Sequence, residues 1–236
     1  MIKDSFRRET YRARGDYHRN LNPTWSYYST YLTKLNLVDN ILSNLNREKL
    51  ILDIGSGEGV FVKKYREQGY KIWGVDYNYG NPMVIPGSVT HLPLATESID
   101  VVLFLDVIEH LLYPDQELAL ENIYRVLVAN GLLILSVPNL AHLMSRLKFL
   151  LLGRLGRTSK VSKHPGDRPI SEYLALLNKH GFEVTKRRGI TLPIPFLTTH
   201  LIWRYPQRFL WLHDWLDYIQ LPNLMFVNIL TCYKRG

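Results

Sequence analysis

Cysteine is all but missing from this chain of 236 residues, where Cys232 stands alone. A lone thiol excludes an intramolecular disulfide framework and leaves the fold to rest on its apolar core. Long apolar runs are missing too. No uninterrupted stretch approaches the roughly 20 residues of a membrane-spanning helix. The opening residues Met1 to Arg8 have no apolar core of the kind a secretory signal carries. These absences lead to the expectation of a cytoplasmic protein. Acidic residues are scarce in one place. The net charge is +8, and from Arg146 to Arg168 the cations Arg146, Lys148, Arg154, Arg157, Lys160, Lys163 and Arg168 meet only Asp167. Such a segment is either a solvated loop or a contact for an anionic surface, which would place the protein at the membrane periphery. An apolar content of 46% with 12% aromatics excludes disorder, and the length suits one large domain or one domain with a cap.

What is present is organised around Leu50 to Gly59. The apolar run Leu50-Ile51-Leu52 reads as a buried parallel strand, and it leads through Asp53 and Ile54 to Gly55-Ser56-Gly57-Glu58-Gly59. Glycines at alternating positions mark a tight turn that brings backbone close to a ligand. Val60 to Tyr65 then reads as the start of a helix. A strand, a glycine turn and a helix N-terminus make a nucleotide-type site. Asp53 beside the turn would repel a pyrophosphate and suits a cationic ligand. The NAD-type fingerprint fits less well, because the third glycine comes one residue early and Asp76 follows Gly59 by 17.

Along the chain, residues 1–20 read as a polar, basic arm, and a helix is expected between Pro23 and Asn46. Strands are expected at 50–54, 70–76, 83–85, 99–106, 132–137, 182–190 and 225–234, with helices over 114–128 and from Ser171, as cap, to Gly181. The segment 141–169 is basic and expected to be mobile. Its apolar positions Leu140, Leu143, Met144, Leu147, Leu150 and Leu151 recur at helical spacing, so this face either packs on the sheet or meets lipid. An insertion over 191–224 is rich in aromatics and broken by Pro193, Pro195, Pro206 and Pro222. Alternating strands and helices call for an α/β fold: a doubly wound, mainly parallel, seven-stranded sheet, with an N-terminal helix and C-terminal cap insertions. Residues 1–46 would form an arm and helix on the substrate side of a domain over 47–236. Ligands bind such sheets at the strands' carboxyl ends, where Asp53, Asp76 and Asp106 collect.

These residues resemble the class I S-adenosylmethionine methyltransferases, a Rossmann-like family. Asp53, Gly55, Gly57 and Gly59 match its first motif, Asp76 the acid that takes the ribose hydroxyls, and Gly87 to Leu94 the stretch that packs on adenine. Ser88 stands where the family often has the aspartate that contacts the adenine amine. Arg125 to Leu127 and Gly131 to Asn139 match the fifth strand and its approach, and between Asp76 and Gly87 the chain is too short for the family's usual helix. The similarity is close over 50–139, loose over 170–190, and strongest toward the ubiquinone-biosynthesis O-methyltransferase-like branch. It implies S-adenosylmethionine as cofactor, S-adenosylhomocysteine as product, and Asp53, Gly55, Ser56, Gly57, Gly59, Asp76, Tyr77, Ser88, Val89, Asp106 and Val107 as its binding residues.

After the fourth strand the chain reads Asp106-Val107-Ile108-Glu109-His110. Relatives with Glu-x-x-Glu-His there hold a divalent ion, while Asp in the first position is common in relatives with no metal. The preferred reading has no metal and uses His110 as base, with Glu109 beside it and His164 reaching in from its loop. The expected acceptor is a hydroxyl on a small-molecule, glycan or lipid-linked compound. The alternatives are a non-catalytic docking protein on a relic fold, or an RNA methyltransferase; nucleic acid is disfavoured because no RNA-binding module is recognisable.

Overall fold

The computed structural model describes residues 21–157 and 159–236. The arm expected over residues 1–20 lies outside the described residues. The apolar run that opens the glycine turn forms β1 (Leu50–Ile54), and the amphipathic stretch before it forms α1 (Tyr28–Ser43). Then follow α2 (Val60–Glu67), β2 (Lys71–Asp76), β3 (Val84–Pro86), β4 (Ile99–Leu105), a 3-10 turn (Ile108–His110), α3 (Tyr113–Val126) and β5 (Leu127–Pro138). The chain continues with α4 (Leu143–Leu152), α5 (Ile170–Lys179), β6 (Phe182–Ile190), a π turn (Leu197–Ile202), α6 (Leu210–Tyr218) and β7 (Val227–Lys234).

The sheet runs β3-β2-β1-β4-β5-β7-β6. Neighbours pair in parallel from β3 to β5, and β7 is antiparallel to both β5 and β6. Alternation along each strand supplies two core layers. Leu52, Ile54, Val102, Phe104, Leu133 and Leu135 meet α3 and α5 on one face. Ile51, Ile72, Val101, Leu103 and Ile134 meet Val38 and Leu42 of α1 and Val62 of α2 on the other. Ile54 stands in register with Val75 and Phe104, so the carboxyl ends of β1, β2 and β4 lie side by side at the point where strand order reverses. No helix among the described residues is long and apolar enough to cross a membrane.

Several boundaries differ from expectation, among them the start of β5, which lies at Leu127 and not at Leu132. Ser171 does not cap α5: the helix begins one residue earlier, after Pro169, and the Ile170 N–H donates to Asn139 Oδ1 at 3.2 Å. The cap thus comes from a residue just past the end of β5, which local sequence does not show. The helix expected to run to Val128 stops at Val126, because Leu127 is buried and pairs with Ile99. Between β2 and β3 there is no helix, only a turn closed by the Asn81–Val84 bridge. The insertion folds over α1 through a buried polar chain, Thr30 Oγ1 to Thr191 Oγ1 at 2.5 Å and Thr191 Oγ1 to His213 Nε2 at 2.8 Å.

Candidate cofactor and transfer site

The glycine turn sits at the carboxyl end of β1. Gly55, Gly57 and Gly59 have φ of 77°, 56° and 82°, the left-handed region that side chains avoid. A Cβ on Gly55 would collide with Val107, and one on Gly59 would meet Val84 at 2.7 Å. The turn is therefore a bare-backbone cradle that also starts α2. Asp53 is buried at its base. Asp76 closes the neighbouring strand, accepting from the Gly57 N–H at 2.9 Å and from the Asn78 N–H at 2.7 Å. The Tyr79 N–H donates at 3.2 Å to the same oxygen as Asn78, so three backbone donors fix the carboxylate at the edge of the cradle.

The other predicted binding residues fall into place unevenly. Tyr77 is half exposed just beyond Asp76. The Ser56 hydroxyl is buried against Gly74, so this residue offers a ligand only its backbone. Val89 is buried beside Val75 and Leu92, and Ser88 Oγ bonds Thr90 Oγ1 at 2.8 Å. Val107 packs on Gly55.

Across the switch point, Glu109, His110 and His164 each offer one ligand atom, and those atoms lie within 4.8 Å of one another. His110 and His164 cross edge to face at 4.7 Å. His110 Nδ1 stands 2.7 Å from the Lys163 carbonyl oxygen, which can only accept. Nδ1 must then carry the proton, and Nε2 is the basic nitrogen. His164 Nδ1 lies 3.4 Å from the buried Asp167 carboxylate. The Gln116 amide clamps the two segments, donating to Ile108 O at 2.9 Å and to Gly166 O at 2.8 Å, while Gly166 N–H donates to Glu109 O at 3.1 Å. Burial pushes the Glu109 carboxyl up to about 7, against its own backbone N–H and the Lys34 charge, with Asp167 adding to the rise. Its Oε2 has no hydrogen-bond partner among the described residues. Burial also holds the Tyr173 hydroxyl above its usual range, keeping it a donor, at 3.1 Å, to Gly166 O.

Asp106 stands apart from that cluster. Its backbone adopts φ 55°, a conformation aspartate tolerates better than most residues. Its carboxylate accepts from Ser136 Oγ at 2.7 Å and pairs with Lys34 of α1. Lys34 is fully buried, with its Nζ 5.6 Å and 5.0 Å from the ring centres of Tyr27 and Tyr31. Burial pulls its ammonium down to about 7 against the opposing pull of Glu109. Sequence reasoning missed Lys34, Gln116 and Asp167. Only Lys34 left a signal: it lies four residues before Val38 and eight before Leu42, inside the apolar stripe of its helix, where a lysine needs a partner.

Residues 52–135 match a family model described as a methyltransferase domain. The chain is 29% identical over 151 residues to a probable S-adenosylmethionine-dependent methyltransferase of Mycolicibacterium smegmatis, covering 59% of this chain and 54% of that protein. It thus spans about half the length of that curated relative. A solved Burkholderia thailandensis 1,6-didemethyltoxoflavin-N1-methyltransferase, with S-adenosylhomocysteine bound, superposes with a TM-score of 0.58 at 13% identity, covering 100% of this chain and 90% of that one. A Thermotoga maritima S-adenosylmethionine-dependent methyltransferase, described as a histamine N-methyltransferase candidate, gives 0.55 at 19% identity, covering 93% and 100%. A 4+2 cyclase, SpnF, gives 0.58 at 17% identity, covering 85% and 80%. The fold is the Rossmann-like class I methyltransferase fold, and the cyclase shows that this fold alone does not dictate a reaction.

Proposed function

We propose that this chain, whose residues 52–135 match a methyltransferase domain model, is an S-adenosylmethionine-dependent methyltransferase acting on the hydroxyl of a small-molecule, glycan or lipid-linked acceptor. The observation that carries the cofactor is the bare cradle of Gly55, Gly57 and Gly59, with Asp53 at its base and Asp76 beside it. A pyrophosphate would meet two carboxylates there; an amine and a ribose suit them. S-adenosylmethionine held there would supply an already activated methyl group, with S-adenosylhomocysteine as the product.

The chain's own residues align the acceptor and remove its proton. His110 Nε2 is the acceptor of that proton, because the Lys163 carbonyl fixes the proton of Nδ1. Glu109, held near neutrality by burial, stands within reach to offset the charge that His110 gains. His164 packs on the His110 ring and completes the corner. The choice of a hydroxyl over an amine rests on this base, since a hydroxyl must shed its proton as the bond forms and a neutral amine need not.

The same three side chains favour a second reading, in which Glu109, His110 and His164 hold a divalent cation. Such an ion would acidify the acceptor hydroxyl, as it does bound water.

Calorimetric titration with S-adenosylmethionine tests the cofactor, with Asp76→Ala as the control. A charged-acceptor hydrogen bond contributes about 1.5–3 kcal/mol, so the substitution should weaken binding at least about tenfold in a protein that still melts cooperatively. Unchanged affinity would sink the assignment of Asp76. Mass spectrometry of extracts incubated with labelled cofactor then identifies the acceptor.

A further inference from the structure

The outer end of α4 exposes four apolar residues in succession, Phe149, Leu150, Leu151 and Leu152, with Leu150 80% and Leu151 77% exposed. At 3.6 residues per turn, four consecutive side chains point through about 300°. A partner helix or a groove covers one apolar stripe roughly 100° wide. What can solvate an apolar tip on all sides is a hydrocarbon fluid.

The base of the tip is tied to the body of the fold. His142 caps the helix by accepting from the Ser145 N–H at 3.2 Å, and the Leu143 N–H donates to Leu224 O at 2.8 Å. Beyond the tip, the chain turns at Gly153, with φ 65°, and folds back so that the Gly156 N–H donates to Ser145 Oγ at 3.1 Å. Leu155 and Val161 add exposed apolar surface to that returning loop. Arg146, Lys148, Arg154, Lys160 and Lys163 are exposed around it, and the segment's one acid, Asp167, is buried.

We infer that the α4 tip inserts into, and the basic loop after it docks on, an anionic lipid bilayer. Insertion of a few side chains binds only weakly, and a polybasic rim is the second signal that makes such anchoring stable. The sign of the rim selects anionic headgroups. The same loop supplies His164 and the Lys163 carbonyl to the reactive corner, so the docked face and the transfer site are one connected segment. The inference rests on surface chemistry and does not depend on methyl transfer.

Flotation of the full-length protein with phosphatidylcholine vesicles, alone or mixed with phosphatidylglycerol, tests it. Binding should require phosphatidylglycerol and fade as salt is raised toward about 1 M, where screening is nearly complete beyond about 3 Å. Leu150→Glu/Leu151→Glu should weaken it at least about tenfold, and Arg154→Glu/Lys160→Glu should do likewise. Both pairs are exposed, so melting temperature and cofactor affinity should stay at the wild-type values. Leu150→Ser/Leu151→Ser is the milder pair should the glutamates perturb folding. Binding that ignores lipid charge, or survives both double substitutions, overturns the inference. So does sedimentation showing that the leucine pair dissolves a dimer, which would make a second copy the occupant, or binding to RNA in preference to vesicles.

Discussion

Replacing Lys34 by Met keeps the length and apolar stem of the side chain and removes only its charge. Lys34 is buried between Tyr27 and Tyr31 and pairs with Asp106, whose side chain is 23% exposed. Removing one partner of a buried pair typically costs 3–5 kcal/mol, because the charge left behind has lost its compensation. Asp106 keeps its bond from Ser136 Oγ and part of its hydration, so the lower end applies, about 3 kcal/mol. For a chain of this size each kcal/mol lowers the melting temperature by about 2–4 °C, giving an expected fall of about 6–12 °C. The penalty is assigned to the stranded Asp106 charge, so Lys34→Met combined with Asp106→Asn should recover most of it. Urea unfolding of the wild type, both single variants and the double variant at pH 6, below the Lys34 value of about 7 so that the ammonium is charged, closes the cycle. If Lys34→Met costs as much beside Asn as beside Asp106, the pair is not coupled and the reasoning fails.

Two further substitutions probe the surrounding network. Burial raises the Asp217 carboxyl from 3.8 to about 7, with Asp214 adding to the rise, while the Thr191 N–H opposes it from 2.7 Å. A raised acid pKa contributes stability that is full below the unfolded value and is lost as pH rises from about 4 to 7. Asp217→Asn, which keeps the acceptor for Thr191, should therefore raise the urea midpoint at pH 8 and change it little at pH 4; equal differences at both would show that ionisation is not involved. A Cβ on Gly166 would strike Leu111 O and the Gln116 amide, so Gly166→Ala should displace the loop bearing His164 and lower turnover at least about tenfold with cofactor affinity retained.

The sheet was legible because strands buried on both faces read as continuous apolar runs. The edge that gathers Asp53, Asp76 and Asp106 was legible because these acids fall at strand ends, where they stand out against Leu50-Ile51-Leu52 and Ile99 to Leu105. Contacts made across the fold were not legible. The cap of α5 is Asn139, thirty-one positions away, and Gln116 ties Ile108 to Gly166, itself fifty positions from Gln116. The insertion has no usable period because its four prolines break it, and its helices are held by Thr30, Thr191 and His213 as well as a small apolar cluster around Ile202 and Leu216. The apolar face of α4 was readable as a face, but its exposure was not. Leu140 is buried and Leu143 leans on the insertion, while Leu150 and Leu151 are largely exposed.

The sharpest division lies within His110, which does two jobs in the proposed mechanism. Through Nδ1 it holds the loop at the Lys163 carbonyl, and through Nε2 it takes the acceptor's proton. Substitution by Ala removes both jobs and cannot tell them apart. Asn can. Its amide nitrogen reaches roughly where Nδ1 stands and can donate to the same carbonyl, while it offers no base. His110→Asn should keep the melting temperature and cofactor affinity of the wild type. It should nevertheless lose at least about a hundredfold in turnover, the ordinary scale for a missing general base. His110→Ala should lose no less, and should soften the loop as well. If His110→Asn retains turnover, the imidazole is a tie for the loop and the base lies elsewhere. Chelation then separates the two readings of the corner. A base acts in a chelator, whereas a cation held by Glu109, His110 and His164 does not survive one, and its removal would abolish turnover until magnesium or another divalent ion is restored. Glu109 gives that second arm a proton to count. Its carboxyl sits near 7 in the absence of an ion, so loading a cation at pH 6 should release a proton into the buffer, and a pH-stat records the release without any need for the acceptor.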